Sequence, residues 1–235
     1  MRKFTKLIFG AAILSITMIA CQSKKEEKKS DEVNAEQTAS EIKETENVSE
    51  EKTESKGVLN ANLATEADLN SIGLASEMVA QILEKRPFLS MMDLDALLGS
   101  GVDKEELYKK VFIPFNLNTT AEADFKIIPG VGDRMAHEFE EYRPYTSIQQ
   151  FKREIGKYVD EDEVARYLNY VFVPVELNTA SEDDIKALPG VGNRIAHEFE
   201  EYRPYTSMAQ FRKEIGKYVD DKELARLERF VYLNE

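Results

Sequence analysis

Residues 117–175 align with residues 177–235 at a constant offset of 60, without a gap, and 36 of the 59 pairs are identical. The match is unbroken where Ala136–Ser147 meets Ala196–Ser207. A chain that repeats itself this closely builds both copies from one supersecondary unit and buries apolar surface by stacking neighbours. A more divergent copy precedes the pair. Asn62-Leu63-Ala64-Thr65-Glu66-Ala67-Asp68 parallels Asn178-Thr179-Ala180-Ser181-Glu182-Asp183-Asp184, and Arg86-Pro87-Phe88 parallels Arg203-Pro204-Tyr205 after the loss of one residue. The expected organisation is therefore three copies, at 59–116, 117–176 and 177–235.

Each copy reads as four short helices. In the last one, Ser181-x-x-Asp184 has the form of a capping box, opening a helix that buries Ile185 and Leu188. Pro189-Gly190-Val191-Gly192 interrupts it with a tight turn, and Asn193 is the expected cap of a second helix. Ile195, Phe199 and Tyr202 lie at the spacing of one apolar helix face, and Arg203-Pro204 ends it. Ser207-x-x-Gln210 opens a third helix with Phe211, Ile215 and Tyr218 inward. Asp220-x-x-Glu223 opens a fourth with Leu224, Leu227 and Val231. Equivalent start signals stand at Ser90, Asp103, Ser147 and Asp160. The expected class is all-α. The runs Val111–Phe115 and Val171–Val175 are β-prone and carry a proline, so they read as extended connectors, at most edge-paired, lying in the grooves between copies. Copies joined in this way should form one rod.

The first 58 residues have a different character. Arg2, Lys3 and Lys6 precede an apolar run from Leu7 to Ala20 that is too short to span a bilayer and of signal-peptide length. Cys21, the only cysteine of the chain, ends the run, which excludes a disulfide framework and any thiolate-rich metal site. The segment 1–20 followed by Cys21 resembles a bacterial lipoprotein leader, in which the cysteine is lipidated. Met18 departs from the usual leucine of that pattern, and an ordinary secretory signal is the alternative. Residues 21–58 are rich in Lys, Glu, Ser and Thr and hold too little apolar surface to offset chain entropy, so they read as a disordered tether. Gln22, by resemblance to Gram-negative lipoproteins, points to the cell envelope and the outer membrane, with the membrane face left open.

Pro129-Gly130-Val131-Gly132-Asp133-Arg134-Met135-Ala136 and Pro189-Gly190-Val191-Gly192-Asn193-Arg194-Ile195-Ala196 resemble helix-hairpin-helix motifs. With the Asn-Thr-Ala-Ser opening, residues 59–235 resemble the ComEA-like competence DNA receptors. That resemblance implies a non-enzymatic module that binds duplex DNA without sequence preference outside the cytoplasmic membrane. It assigns phosphate contact to Gly190, Gly192, Asn193 and Arg194, and to Gly130, Gly132 and Arg134. The chemistry is coherent: glycines allow close backbone approach, a helix start favours an anion, and an adjacent cation completes the clamp. Contacts of this kind carry no sequence information. Lys213 and Lys217, with Lys152, Arg153 and Lys157 in the second copy, would add a flanking basic strip.

Several features pull the other way. The first copy has Gly73-Leu74-Ala75-Ser76-Glu77, with neither second glycine nor arginine, and reads as structural. In the second, Asp133 stands at the helix start and would compete with a phosphate. The chain carries a net charge of −13, whereas a nucleic-acid-binding domain usually has a basic footprint. Helix-hairpin-helix units also occur without a DNA role, as in an extrinsic lumenal subunit of photosystem II that resembles this unit. An envelope protein adaptor, with Arg194 paired to an acidic neighbour, is therefore the second reading.

His137 and His197 are followed four residues later by Glu141 and Glu201. Such a pair lacks a third ligand and reads as an exposed helix pair rather than a metal site. Glu140-Glu141 and Glu200-Glu201 point about 100° apart and form no catalytic dyad. With no nucleophile–base pair, nucleotide loop or cofactor motif, the sequence predicts no enzymatic activity, no cofactor and no small-molecule substrate.

Overall fold

The computed structural model describes residues 57–99 and 101–234. The expected leader, the Cys21 lipidation site and the tether as far as residue 56 lie outside the described residues. Among those that are described, no helix is long and apolar enough to cross a membrane.

The fold is mainly helical, in three segments that are each opened and closed by a short strand. The first runs β1 (Leu59–Asn60), α1 (Glu66–Ser71), α2 (Ser76–Lys85), α3 (Met91–Asp95), α4 (Lys104–Tyr108), β2 (Val111–Phe112). The second runs β3 (Phe115–Asn116), α5 (Glu122–Phe125), α6 (Asp133–Glu141), α7 (Ile148–Ile155), α8 (Glu161–Tyr167), β4 (Val171–Phe172). The third runs β5 (Val175–Glu176), α9 (Glu182–Lys186), α10 (Asn193–Glu201), α11 (Met208–Ile215), α12 (Asp221–Glu228), β6 (Val231–Tyr232). The strands pair in parallel as β1–β2, β3–β4 and β5–β6, with Leu59 opposite Val111, Phe115 opposite Val171 and Val175 opposite Val231. A parallel pair needs a long crossover, and the four helices of each segment supply it.

The apolar connectors are thus shared between segments. Val111–Phe112 closes one ladder and Phe115–Asn116 opens the next, with Pro114 between them where no ladder hydrogen bond is required. The same arrangement surrounds Pro174. Val231, expected on the fourth helix, lies instead in β6, because the helix ends at Glu228 and the chain must return to pair with Val175.

Most helix starts follow the sequence signals. Thr65, Ser90, Asp103, Ser147, Asp160, Ser181, Ser207 and Asp220 each accept a hydrogen bond from the backbone N–H three residues on. Each such cap contributes about 1 kcal/mol. Helices of four to ten residues are marginal alone, so packing must hold them. Phe139 supplies it in the second segment, fully buried with its ring 5.3 Å from Phe125 and 5.2 Å from Tyr167. Phe199 does so in the third, 5.2 Å from Phe211.

An arginine and an asparagine tie the opening loop of each segment to the turn after its second helix. Arg203 donates from Nε to the Leu177 carbonyl at 2.6 Å and from Nη2 to that of Ala180 at 2.8 Å. Asn178 donates to the Tyr205 carbonyl and accepts from the Tyr205 N–H, at 2.9 and 2.7 Å. Arg143 with Asn118 and Arg86 with Asn62 repeat the arrangement.

Expected to pack against one another as one rod rather than as separate beads, the segments also touch beyond their immediate neighbours in the chain. Arg229 of the third segment donates to the carbonyls of Phe88 and Pro114 in the first, at 3.4 and 3.2 Å. Leu63 of the first lies against Gly190 of the third. The third also meets the second, where the Ile148 N–H donates to Asp184 at 2.9 Å. Every pair of segments is therefore in contact.

Candidate nucleic-acid interface

The two hairpins place their residues identically. Gly130 and Gly190 have φ of +81° and +71°, a conformation that side-chain-bearing residues resist. Gly132 and Gly192 differ: their φ values are −94° and −86°, and a Cβ on either would meet nothing within 4 Å. The fold therefore requires the first glycine of each hairpin, while the second leaves open space in front of the helix start. We expect Gly190→Ala to cost about 1–2 kcal/mol from the left-handed backbone alone, with overlap against Leu63 added. Gly192→Ala should cost at most about 0.5 kcal/mol as a change of N-cap. Thermal unfolding of the two variants tests the difference, and equal losses would contradict it.

Asn193 is not the cap that the sequence suggested. Gly192 occupies the N-cap position, Asn193 is the first residue of α10, and no side chain caps the helix. Gly132 stands likewise before α6. The reason is positional: the extended backbone needed at an N-cap falls on the second glycine, one residue earlier than the asparagine. Both nine-residue helices consequently present uncapped backbone N–H groups, whereas α7, α8, α9, α11 and α12 are all closed by a Ser or Asp side chain. The corresponding helix of the first segment, α2, is also without a side-chain cap, but Glu77 occupies its first turn.

Asp133 does not turn its charge onto the helix start. It forms an ion pair with Lys126 at 2.5 Å and stays exposed, and this pair holds its carboxyl below the ordinary carboxylate range. The anticipated competition with a phosphate is therefore softened by a neighbouring cation.

Arg134 and Arg194 are exposed on the first turns of α6 and α10. Their guanidinium carbons lie 5.5 Å from the Tyr158 ring centre and 5.8 Å from that of Tyr218. Among the described residues neither forms an ion pair with a carboxylate, so the acidic neighbour of the adaptor reading is not seen. Each tyrosine is held in turn. The hydroxyls of Tyr202 and Tyr218 lie 2.8 Å apart, and those of Tyr142 and Tyr158 2.7 Å apart. Hydrogen bonding to Tyr202 and Glu198 and burial raise the Tyr218 phenol well above its ordinary range, and Tyr158 is raised likewise by Tyr142 and Glu138. Sequence reasoning placed Tyr218 only as an inward residue of the third helix, because nothing in Lys-Tyr-Val-Asp marks a turn whose ring lies beneath an arginine of the preceding hairpin helix.

The flanking basic strip is largely compensated. Lys217 pairs with Glu214 and lies over the Tyr202 ring at 4.8 Å, while Lys213 approaches Glu214 at 3.2 Å. Glu214 is itself buried between them, and these contacts push its carboxyl below the usual range. Lys157 and Arg153 share Glu154 in the same way. The strip is therefore a set of clamps around buried glutamates rather than a row of uncompensated cations.

Behind each hairpin stands a further arginine that the sequence did not single out. Arg226 donates to the Pro189 carbonyl and makes a two-pronged pair with Glu223, at 2.7 and 2.5 Å. Arg166 does the same with Pro129 and Glu163. The turn is thereby fixed from inside.

His137 approaches Glu122 at 3.4 Å and Glu141 at 3.7 Å, and His197 approaches Glu201 at 3.5 Å. Among the described residues no group of three or more such side chains is arranged to hold a metal ion.

Residues 171–232 match the family model of the helix-hairpin-helix motif, a span that begins at β4 and covers the third segment. No curated protein and no solved structure matches the chain.

Proposed function

We propose that the protein is a non-enzymatic, membrane-anchored binding module of three tandem helix-hairpin-helix units, which grips the DNA backbone weakly and without sequence preference, as in ComEA-like uptake receptors. The observation that carries this reading is the pair of uncapped helix starts at Gly132 and Gly192, each with an exposed arginine beside it. A backbone phosphate would lie before the first turn of α10 or α6, accept N–H hydrogen bonds there, and meet Arg194 or Arg134 at its edge. No base is reached in such an arrangement, so binding is indifferent to sequence. Lipidation of Cys21 would hold the module at the cell envelope.

Two cations neutralise few phosphates, so affinity should be low and its fall with salt shallow. In fluorescence anisotropy with a short labelled duplex, the full chain should bind at about 50 mM salt and lose about tenfold at 200 mM. Arg194→Glu combined with Arg134→Glu should abolish the signal, while the spectrum and melting temperature stay unchanged. Absence of binding at low salt would overturn the DNA reading in favour of an envelope protein partner.

A further inference from the structure

The arginine beside each candidate phosphate site belongs to a small cluster, and the three segments differ in it. In the third, Arg194, Glu198 and Tyr202 follow one another at four-residue steps along α10, and Tyr218 stands just beyond α11. The second repeats the set as Arg134, Glu138, Tyr142 and Tyr158. In the first, the same positions hold Glu77, Gln81, Lys85 and Gly101. The residues that build the segment do not change with them. Asn62 and Arg86 keep their loop contacts, and Thr65, Ser90 and Asp103 keep their caps. The fold is therefore made without the cluster, and the tyrosine is lost where the arginine is lost.

The geometry shows what the cluster does for the arginine. The Arg194 guanidinium carbon lies 5.8 Å from the Tyr218 ring centre, and that of Arg134 lies 5.5 Å from the Tyr158 ring centre. A guanidinium drawn to a ring face is held without engaging its N–H donors, which stay free for an incoming oxygen. The ring is fixed in turn. The Tyr218 hydroxyl lies 2.8 Å from that of Tyr202 and is hydrogen-bonded to Glu198. Glu198, one turn on from Arg194, is buried, and among the described residues no ion pair draws the arginine down to it. The second ring of the pair carries a cation as well, but Lys217, 4.8 Å over Tyr202, is engaged by Glu214. A long side chain loses rotamer freedom when it binds, and one already held on a ring has less to lose.

We infer that Tyr218 and Tyr158 position Arg194 and Arg134, holding each guanidinium by its face beside the helix start so that its N–H edge meets a backbone phosphate, a role that rests on the DNA reading given above. Each tyrosine is a positioning residue: it touches the arginine and not the phosphate.

The full chain is compared with two double variants by anisotropy, using the labelled duplex at about 50 mM salt. Tyr158→Leu with Tyr218→Leu removes both rings and should weaken binding about fivefold, roughly two- to threefold for each exposed cation–ring contact. Tyr158→Phe with Tyr218→Phe keeps the rings and should bind within about twofold of the unaltered chain. A second readout needs no DNA. In NMR spectra of the arginine-labelled full chain, ring-current shielding should move the Cδ protons of Arg194 and Arg134 upfield in the unaltered and phenylalanine forms, and not in the leucine form. Undiminished binding by the leucine pair, with the unaltered chain binding, would overturn the inference and leave the DNA reading standing. Equal weakening of the phenylalanine pair would sink it too, by assigning the effect to the hydroxyls. No binding by the unaltered chain would remove the DNA reading, and the positioning role with it. Should the leucine pair melt early, the spectrum of the unaltered chain still decides, because unshielded arginine protons would show that the rings hold nothing.

Discussion

Arg226→Ala is expected to destabilise the protein by about 2–3 kcal/mol, from the packing of a fully buried side chain and the hydrogen bonds it makes behind the hairpin. The Arg226 side chain is 2 % exposed and ties α12 to the third hairpin through Glu223 and the Pro189 carbonyl. Its loss would leave both a carboxylate and a carbonyl unsatisfied, and the turn that aims the α10 N–H groups would lose its internal support. Arg166 makes the same three hydrogen bonds in the second segment, yet its side chain is 31 % exposed. Water can replace much of what that arginine supplies, so Arg166→Ala should cost only about 1 kcal/mol. The difference traces to Leu63, which lies against Gly190, while the structure shows no equivalent residue against Gly130. Thermal denaturation of the two variants measures the contrast. Equal losses would show that burial by the first segment contributes nothing.

Much of the architecture could be read from the 60-residue offset and the start signals. Ser147, Asp160, Ser181, Ser207 and Asp220 stand at helix starts because a side-chain oxygen three residues before a backbone N–H is a local rule, independent of tertiary context. Asn193 failed for a physical reason. The rule favours asparagine at an N-cap, but it does not weigh a glycine one position earlier that already takes the extended conformation and leaves the helix start uncovered. The parallel ladders could not be read either, since two-residue strands such as Val111–Phe112 and Val175–Glu176 carry no periodicity, and their pairing joins residues more than fifty positions apart. Nor could the charge balance of the site. Lys213 and Lys217 read as a basic strip because linear sequence shows their charge and not the burial of Glu214 between them. Arg203, which the sequence showed only as a helix terminator before proline, proves to be the residue that holds two loop carbonyls.

Contact among all three segments makes unfolding a collective event. Phe199 is the buried face of α10, the helix whose start forms the candidate site of the third segment, and its ring packs at 5.2 Å on Phe211 of α11. Phe199→Ala should cost about 3–5 kcal/mol, the sum of lost transfer free energy and the cavity left behind. Were the segments independent, that loss would appear as a separate early transition of the third segment while the first two melted normally. Arg229 bonded to Phe88 and Pro114, Leu63 against Gly190, and Ile148 bonded to Asp184 argue otherwise. Removing the third segment would expose the connector residue Phe172, which is buried in the folded chain with its ring 4.7 Å from Phe230. Calorimetry of Phe199→Ala should therefore show one transition shifted to lower temperature. Two resolved transitions would show that the contacts between segments are too weak to couple them. In the coupled case, a substitution in the first segment such as Leu63→Ala would alter the rigidity of the third hairpin without touching it.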